Sequence, residues 1–328
     1  MSNPKPADSR DIIEEVDDNS WIIGHVIITR HESEPSQPCW EDGKGAFFSI
    51  GEVPTPKPPT RPASDACSIT DAIGSSPGWG LWRIGLAHLR ISGQNFGTLE
   101  HVTLEALAKR SLDFQVPEVY YHGEFEESYY VVYSVLPGKS IADVWPTTNQ
   151  AVRTRWAQQI AEAYHELSKW RGDRICGVDG RNWVCHWLCK DRTAVASSYE
   201  PEVLRQNFEE IGLDCSELVF AHCQMMPLSF MVDENQGLVG ITFWETAGFV
   251  PKDWIRTMSR SNCFTEAIHV IKWRSWSLQD EDDWVEKIEA ALKEKGFNEL
   301  WEKNCIWRNK LHERWFAEGR SVERRKDA

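Results

Sequence analysis

The 328-residue chain has no apolar run that approaches the length of a membrane span and no excess of basic residues. Its 36 lysines and arginines stand against 50 aspartates and glutamates, which gives a formal net charge of −14. We therefore expect neither a nucleic acid nor a membrane surface as a partner. The N-terminal sequence MSNPKPADSRDIIEEVDD is acidic and polar, unlike a secretory signal.

The nine cysteines are not arranged in the close C-x2-C pairs typical of zinc sites. Cys176, Cys185, His186 and Cys189 form a looser C-x8-C-H-x2-C group, for which zinc is the less favoured interpretation. Without a secretory signal, nine cysteines predict reduced thiols and a cytoplasmic protein. No metal is therefore expected in this group.

The chain is rich in tryptophan, with 17 residues, and its hydrophobic content of 41% is enough for a sizeable core. Residues 1–20 are charged and aperiodic, which predicts a disordered acidic tail. Residues 21–136 are β-rich and contain a Pro-rich loop at 53–64. Residues 137–319 are mainly helical by their periodicity, and 320–328 form a basic tail. This organisation predicts an α+β protein with two lobes.

The segment from Ala221 to Gly248 carries the most specific pattern, AHCQMMPLSFMVDENQGLVGITFWETAG. Its polar residues have the spacing H-x-Q-x4-S, and Phe243 follows on the next apolar run. In the kinase pattern these places hold a histidine, a catalytic aspartate, a metal-binding asparagine and a second metal-binding aspartate. The segment keeps the spacing of the kinase pattern but has neither of its two aspartates.

Several further motifs occur in the matching order, among them VPEVYYHG, YYVVYSVLPGKSIADVW and GITFWETAGFVPKDW. With the segment above, they make residues from about Trp79 to Trp254 resemble the aminoglycoside phosphotransferase and choline-kinase-like family. The last motif is similar to the fungal members. The resemblance implies a two-lobed protein-kinase-like fold with a β-rich N-lobe and a mainly helical C-lobe.

The resemblance also implies roles for individual residues. His222 matches the loop histidine, Gln224 falls at the catalytic aspartate, and Ser229 and Phe243 fall at the two metal ligands. Cys223 lies where the family has glycine. In the N-lobe, the phosphate-binding lysine, its ion-pair partner and the start of the adenine-binding connector correspond to Arg90, Glu105 and Tyr133.

The replacements at these positions remove the groups on which phosphoryl transfer depends. Gln224 cannot take a proton from a hydroxyl, Ser229 offers magnesium a weak neutral oxygen, and Phe243 offers none. MgATP chemistry is therefore doubtful, and no cofactor is expected. Arg90 keeps the positive charge of lysine but changes its reach and geometry.

A cleft without these charges would be more apolar and would suit a hydrophobic small molecule. Apolar contacts would come from Met225, Phe243 and Trp244. His222, Gln224 and Glu245 would supply polar groups. The same three residues are the candidate catalytic residues of any remaining reaction. Asp253 either faces the ligand or caps the following helix.

Three functional hypotheses remain open. The first is binding or conversion of a hydrophobic molecule in the cleft, through a reaction such as cyclisation or isomerisation in specialised metabolism. The second is a pseudokinase without turnover that binds a protein partner, with the first 75 residues as the candidate surface. The third is an atypical but active small-molecule kinase. The sequence alone does not decide whether the protein is an enzyme.

Overall fold

The computed structural model describes residues 12–76, 79–93, 96–191, 195–260 and 276–317. The chain divides into two compact units. The first comprises residues 1–95 and 117–135, and the second comprises 96–116 and 136–328. The boundary after Val135 lies one residue before the predicted one, but 96–116 belongs to the second unit instead of the first.

The first unit is built from two antiparallel sheets. The strands of its larger sheet are β1 (Ile13–Asp17), β2 (Ser20–Ile23), β3 (Val26–His31), β4 (Cys39–Glu41), β5 (Phe47–Glu52) and β6 (Arg61–Pro62), in the order β4-β5-β3-β2-β1-β6. The strands of the second sheet are β7 (Thr70–Ser76), β8 (Trp79–Ile84), β9 (Ala87–Ser92), β10 (Val119–Phe125) and β11 (Ser128–Ser134), in the order β10-β11-β9-β8-β7.

Both sheets contribute to one apolar core, which explains why this part of the sequence is β-rich. Trp21 and Ile28 of the larger sheet are buried in the same cluster as Trp82 and Leu89 of the second. Trp40 connects the sheets by donating a 2.7 Å hydrogen bond from its indole Nε1 to the carbonyl of Ile84. Because side chains alternate along a strand, one face of each sheet is apolar, and these two faces form the shared core.

Two predictions for the N-terminal region are corrected by strand pairing. The predicted tail 1–20 contains β1, and the predicted loop 53–64 contains β6, which pairs with β1 through Glu15 and Arg61. Glu15 is buried and accepts hydrogen bonds from Arg61 and Ser64 at 3.1 and 2.8 Å. The proline of β6 is tolerated because this strand lies at the sheet edge. Residues 1–11 and the predicted basic tail 320–328 lie outside the described residues.

The second unit is mainly helical and carries two small antiparallel sheets. Its helices are α1 (Glu100–Ala108), α2 (Ile141–Val144), α3 (Gln150–Leu167), α4 (Pro201–Ile211), α5 (Trp254–Met258), α6 (Leu278–Glu294) and α7 (Trp301–Ala317). Its strands are β12 (Lys139–Ser140), β13 (Arg171–Gly172), β14 (Leu218–Ala221), β15 (Phe230–Asp233), β16 (Gly237–Ile241) and β17 (Gly248–Pro251). They pair in the orders β12-β15-β16 and β13-β14-β17.

Local signals in the sequence account for most of these helices. Asn149 caps α3 by accepting a 3.0 Å hydrogen bond from the amide of Val152. Gly296 follows α6 with φ of +80°, a conformation that glycine adopts without steric cost. None of the described helices has both the length and the apolar character that a membrane crossing requires. A β-rich unit and a mainly helical unit confirm the predicted α+β class.

Candidate functional site

Two loops of the second unit carry the pattern that the sequence singles out. One follows β14 and runs from His222 to Ser229, and the other connects β16 to β17. The hydroxyl of Thr246 donates to the carbonyl of His222 at 3.0 Å, and the amide of Thr242 donates to the carbonyl of Ser229 at 2.9 Å. These bonds hold the two loops side by side.

His222 is a structural residue of this junction. It is fully buried, with Nε2 2.9 Å from the carbonyl of Thr242 and Nδ1 2.9 Å from the carbonyl of Gln224. Burial lowers the pKa of His222. Its nitrogens face main-chain groups of both loops, which corrects the expectation that it is a catalytic group.

Two residues of these loops have left-handed backbone conformations that are unusual for their side chains. Cys223 has φ of +60° and Phe243 has φ of +64°. Glycine adopts such angles freely, and asparagine and aspartate adopt them more readily than other residues. Since glycine and aspartate are the residues that the family resemblance implies at these two positions, the backbone fits the implied residues better than the actual ones.

The strain at Cys223 predicts an unusual order of stability among substitutions. We expect Cys223→Gly to be more stable than Cys223→Ala by about 1 kcal/mol, because alanine keeps the left-handed penalty and glycine removes it. Cys189 is the control, since it is a buried free cysteine with φ of −76°, whereas Cys223 is half-buried with φ of +60°. There, Cys189→Gly should be less stable than Cys189→Ala by about 0.5–1 kcal/mol. Urea denaturation of the four variants measures both differences, and the same order at both positions would contradict the strain at Cys223.

The three positions implied as base and metal ligands present no carboxylate. Ser229 is fully buried, and its hydroxyl has no hydrogen-bond partner within the described ranges. Phe243 is 7% exposed. Gln224 is half-buried, and its amide donates to the sulfur of Met226 at 3.9 Å. Magnesium prefers charged or strongly polar oxygen ligands, so this set does not fit the ion that the resemblance implies.

A cavity of about 270 Å³ lies beside the first loop and is formed by residues of the second unit alone. Gln224 and Met225 contribute to its wall, as the sequence predicts for a ligand site. Most other lining side chains are aromatic or contain sulfur. They are Trp183, Cys185, His186, Trp187, Cys223, Met226, Trp254 and Met258. Val184, Thr246 and Ser259 complete the lining.

The ionisable groups of the lining differ in reactivity. Burial raises the pKa of the Cys223 thiol well above its ordinary value, which makes this cysteine a poor nucleophile. His186 is exposed, and its Nδ1 lies 2.8 Å from the hydroxyl of Tyr199. Burial raises the pKa of Tyr199, so this hydroxyl stays protonated and donates to Nδ1. This hydrogen bond holds the imidazole of His186 in one orientation.

Trp244 belongs to the core of the second unit, which corrects its prediction as a ligand contact. It is fully buried between Phe114 and Phe220, with ring centroids 6.4 Å away on each side and nearly parallel planes. Its amide donates a 2.9 Å hydrogen bond to the carboxylate of Glu100. Glu100 is 2% exposed, whereas Glu105, the predicted partner of Arg90, is exposed on α1. The buried acid of this helix is therefore not the one that the sequence predicts.

The remaining predicted residues do not line the cavity. Asp253 accepts hydrogen bonds from the amide and side chain of Asn298 at 2.9 and 3.1 Å, so it neither faces the cavity nor caps α5 through its carboxylate. Glu245 is half-buried in the second loop. Arg90 lies in β9, and the fully buried Tyr133 lies in β11, both in the first unit.

The cysteine-rich group does not form a metal site in the structure. Within the described ranges, no three or more histidine, cysteine, aspartate or glutamate side chains are arranged to hold a metal ion. Cys185 and His186 instead contribute to the cavity, and Cys176 and Cys189 are buried thiols. Burial raises the pKa of Cys176, as expected for a structural cysteine.

Sequence reasoning missed most of the aromatic lining. Trp183 and Trp187 come from the segment before α4, and Trp254 and Met258 come from α5. With 17 tryptophans in the chain, these three were not distinguished from core residues, and the one that was singled out, Trp244, lies in the core. The motif CGVDGRNW, which ends at Trp183, is the one signal that could have located them.

Comparison with known proteins gives one family match and many structural ones. Residues 97–251 match the model of the phosphotransferase enzyme family. No curated protein sequence matches the chain. The structure resembles the GDP complex of wild-type aminoglycoside 2'-phosphotransferase-IIIa, with 14% identity, a TM-score of 0.42, and coverage of 76% of this chain and 93% of that one.

Two further solved structures are similar to a comparable extent. For the aminoglycoside-3'-phosphotransferase of type VIII, the identity is 13% and the TM-score 0.46, with 75% of this chain and 93% of that one covered. For an aminoglycoside phosphotransferase from Streptomyces rimosus, the identity is 11% and the TM-score 0.43, with 72% and 92% covered.

Proposed function

Since the chain is an aminoglycoside-phosphotransferase-like protein with a kinase-like fold, we propose that it binds a small aromatic molecule in the cavity beside Gln224 and has lost MgATP-dependent phosphoryl transfer. The observation that carries the proposal is the lining, in which aromatic rings and sulfur-containing side chains surround the degenerate loop. The similarity of one motif to fungal members of the family supports a place in specialised metabolism.

The loss of phosphoryl transfer rests on the chemistry of three positions. Removing a general base costs roughly 10²–10⁴-fold in rate, and losing the metal removes several kcal/mol of transition-state stabilisation. With Gln224, Ser229 and Phe243 at these positions, the loop has neither the general base nor the metal ligands. Phosphoryl transfer depends almost entirely on positioning and electrostatic stabilisation, and the replacements at these positions remove part of both.

The shape and composition of the cavity support an aromatic ligand. Three tryptophan side chains form part of the wall, and Trp187 is the most exposed of them. Three methionines, Met225, Met226 and Met258, can adapt to the outline of a ring. Thioethers also make favourable contacts with aromatic edges. A volume of about 270 Å³ is near the lower limit of roughly 300–1,000 Å³ for ligand pockets, which favours a small molecule.

Gln224 supplies a polar contact for such a ligand. Its carbonyl Oε1 is buried and accepts no hydrogen bond from the residues that the structure describes. A buried acceptor without a donor costs about 1–3 kcal/mol, which a ligand N–H or O–H would recover. An aromatic ring with one donor group therefore matches the cavity better than a pure hydrocarbon.

Ligand-observed NMR with indole and 2-naphthol tests the proposal, because each combines an aromatic ring with one donor. We expect saturation-transfer signals for at least one probe with the native protein and at least a tenfold weaker affinity for Met225→Trp, which fills the cavity. Met231→Trp is the matched control, since Met231 is half-buried in β15 and does not line the cavity. Absence of binding by both probes, or equal binding by the two variants, would contradict the proposal.

A second candidate function, conversion of the ligand, is favoured by His186. This is the imidazole of the cavity lining, and Tyr199 fixes its orientation. A histidine held in this way can move a proton on a bound molecule, as an isomerisation or cyclisation requires. If a metabolite co-purifies with the protein, mass spectrometry of the native chain and of His186→Gln would reveal turnover as a product present only with the native chain.

A further inference from the structure

We propose that the second unit has a separate binding site for a phosphate group. It is lined by residues at and just after the C-terminal ends of α1 and α3. An open depression of about 650 Å³ lies there. The polar side chains that line it are Lys109, Arg110, Ser111, Glu166 and Lys169, and Trp170 forms part of its wall. None of these residues lines the aromatic cavity, so the two sites are independent.

Arg110 is held in position by an aromatic surface. Its guanidinium lies over the ring of Trp170, 3.6 Å from the ring centroid. Trp170 is itself fixed by Phe220, whose centroid is 4.5 Å away, and by Phe249, which meets it edge-on at 5.3 Å. A guanidinium that lies over a ring keeps its N–H donors along its own edge, where two of them can bind two oxygens of one anion.

The positive charges of the depression are only partly balanced by neighbouring acids. Lys169 forms an ion pair with Glu166. Lys109 and Arg110 have no carboxylate within ion-pair distance in the described part of the chain, although the whole chain has a net charge of −14. A protein with a large negative net charge does not need these two cations for solubility, so we infer that they bind an anion.

A phosphate monoester fits this arrangement best. It carries about −1.5 to −2 charges near pH 7, which matches the two unpaired cations. Arg110 would bind two of its oxygens, Lys109 would add a second charge, and the hydroxyl of Ser111 is the adjacent neutral donor. A carboxylate would satisfy Arg110 but leave the second cation less well neutralised.

Isothermal titration calorimetry of the full chain tests the site with phenyl phosphate, inorganic phosphate and benzoate. We expect saturable binding of both phosphates, weaker binding of benzoate, and weakening with added salt. Arg110→Gln should reduce phosphate affinity at least about tenfold. Arg110→Lys should also reduce it, because lysine keeps the charge but loses the two-pronged geometry. If phenyl phosphate binds more tightly than inorganic phosphate, the ligand is an organic ester; equal affinities indicate that the phosphate group alone is recognised.

Arg308→Gln is the matched control, because Arg308 also stacks on a tryptophan, with its guanidinium 4.0 Å from the ring centroid of Trp187. This variant should bind phosphate as the native chain does. Circular dichroism and urea denaturation show whether each variant is folded. Absence of saturable phosphate binding by the native chain, unchanged affinity in Arg110→Gln, or an equal loss in Arg308→Gln would overturn the proposal.

Discussion

In the triple variant Gln224→Asp, Ser229→Asn, Phe243→Asp we expect MgATP to stabilise the protein, whereas the native chain should show no magnesium-dependent change. A ligand at about 100 times its Kd adds about 2.7 kcal/mol to the free energy of unfolding. The variant restores a base and two metal ligands at the positions that the family resemblance implies. Phe243 already has φ of +64°, so aspartate should fit the existing backbone. Thermal unfolding with ATP, in magnesium or in EDTA, measures the difference.

The double variant Gln224→Asp, Ser229→Asn is the matched control, because it keeps the phenylalanine ring and lacks the second carboxylate. We expect no magnesium dependence for it, since phosphate-bound magnesium is commonly held by more than one protein oxygen. A magnesium-dependent rise in the native chain would contradict the proposed loss of phosphoryl transfer. If the triple variant is folded by circular dichroism but still shows no rise, the three positions do not correspond to the metal site of the family.

The sequence predicted the fold where the signals are local. The helical spacing of Trp156, Ile160 and Tyr164 predicted α3, and these residues are buried along one side of it. The sequence ENQG favours a hairpin turn, and it connects β15 to β16 in the structure, where Asp233 accepts hydrogen bonds from the amides of Asn235 and Gln236. These elements follow from periodicity and turn chemistry within a few residues.

Side-chain orientation at the site could not be predicted in the same way. Spacing located the loop of His222 and Gln224, but it did not show which side chain faces the cavity. Trp244 is directed into the core by Phe114 and by a hydrogen bond to Glu100, 144 residues earlier in the chain. The strand β1 was also missed, because the apolar residue that it buries, Ile13, is followed directly by Glu14 and Glu15.

The largest expected loss of stability comes from Arg153→Ala in the second unit. Arg153 is buried in α3 and binds Asp283 and Asp280 of α6 at 2.8 and 3.1 Å. Removing one partner of a buried ion pair costs about 3–5 kcal/mol, because the remaining charges are left without compensation. Arg155→Ala is the matched control, since Arg155 is half-buried on the same helix and donates to a main-chain carbonyl, that of Glu234. We expect it to cost less than about 1.5 kcal/mol in urea denaturation at pH 7.

The pH dependence of this loss separates the ion pair from simple packing. Burial would raise the pKa of both aspartates, but hydrogen bonds outweigh it and lower both pKa values. Asp280 accepts these bonds from Ser277 and Arg153, and Asp283 accepts them from Arg153 and Lys287. Carboxylates with lowered pKa values stabilise the folded state above their unfolded pKa of about 3.9, and this contribution disappears as the pH falls through the folded values. Without Arg153, burial raises the two pKa values relative to those in the native chain, so the variant loses less stability on acidification. The difference between native chain and Arg153→Ala should therefore shrink as the pH falls from 7 to below about 4. A difference that stays constant over this range would assign the loss to packing against Trp145, over which the guanidinium lies at 5.3 Å.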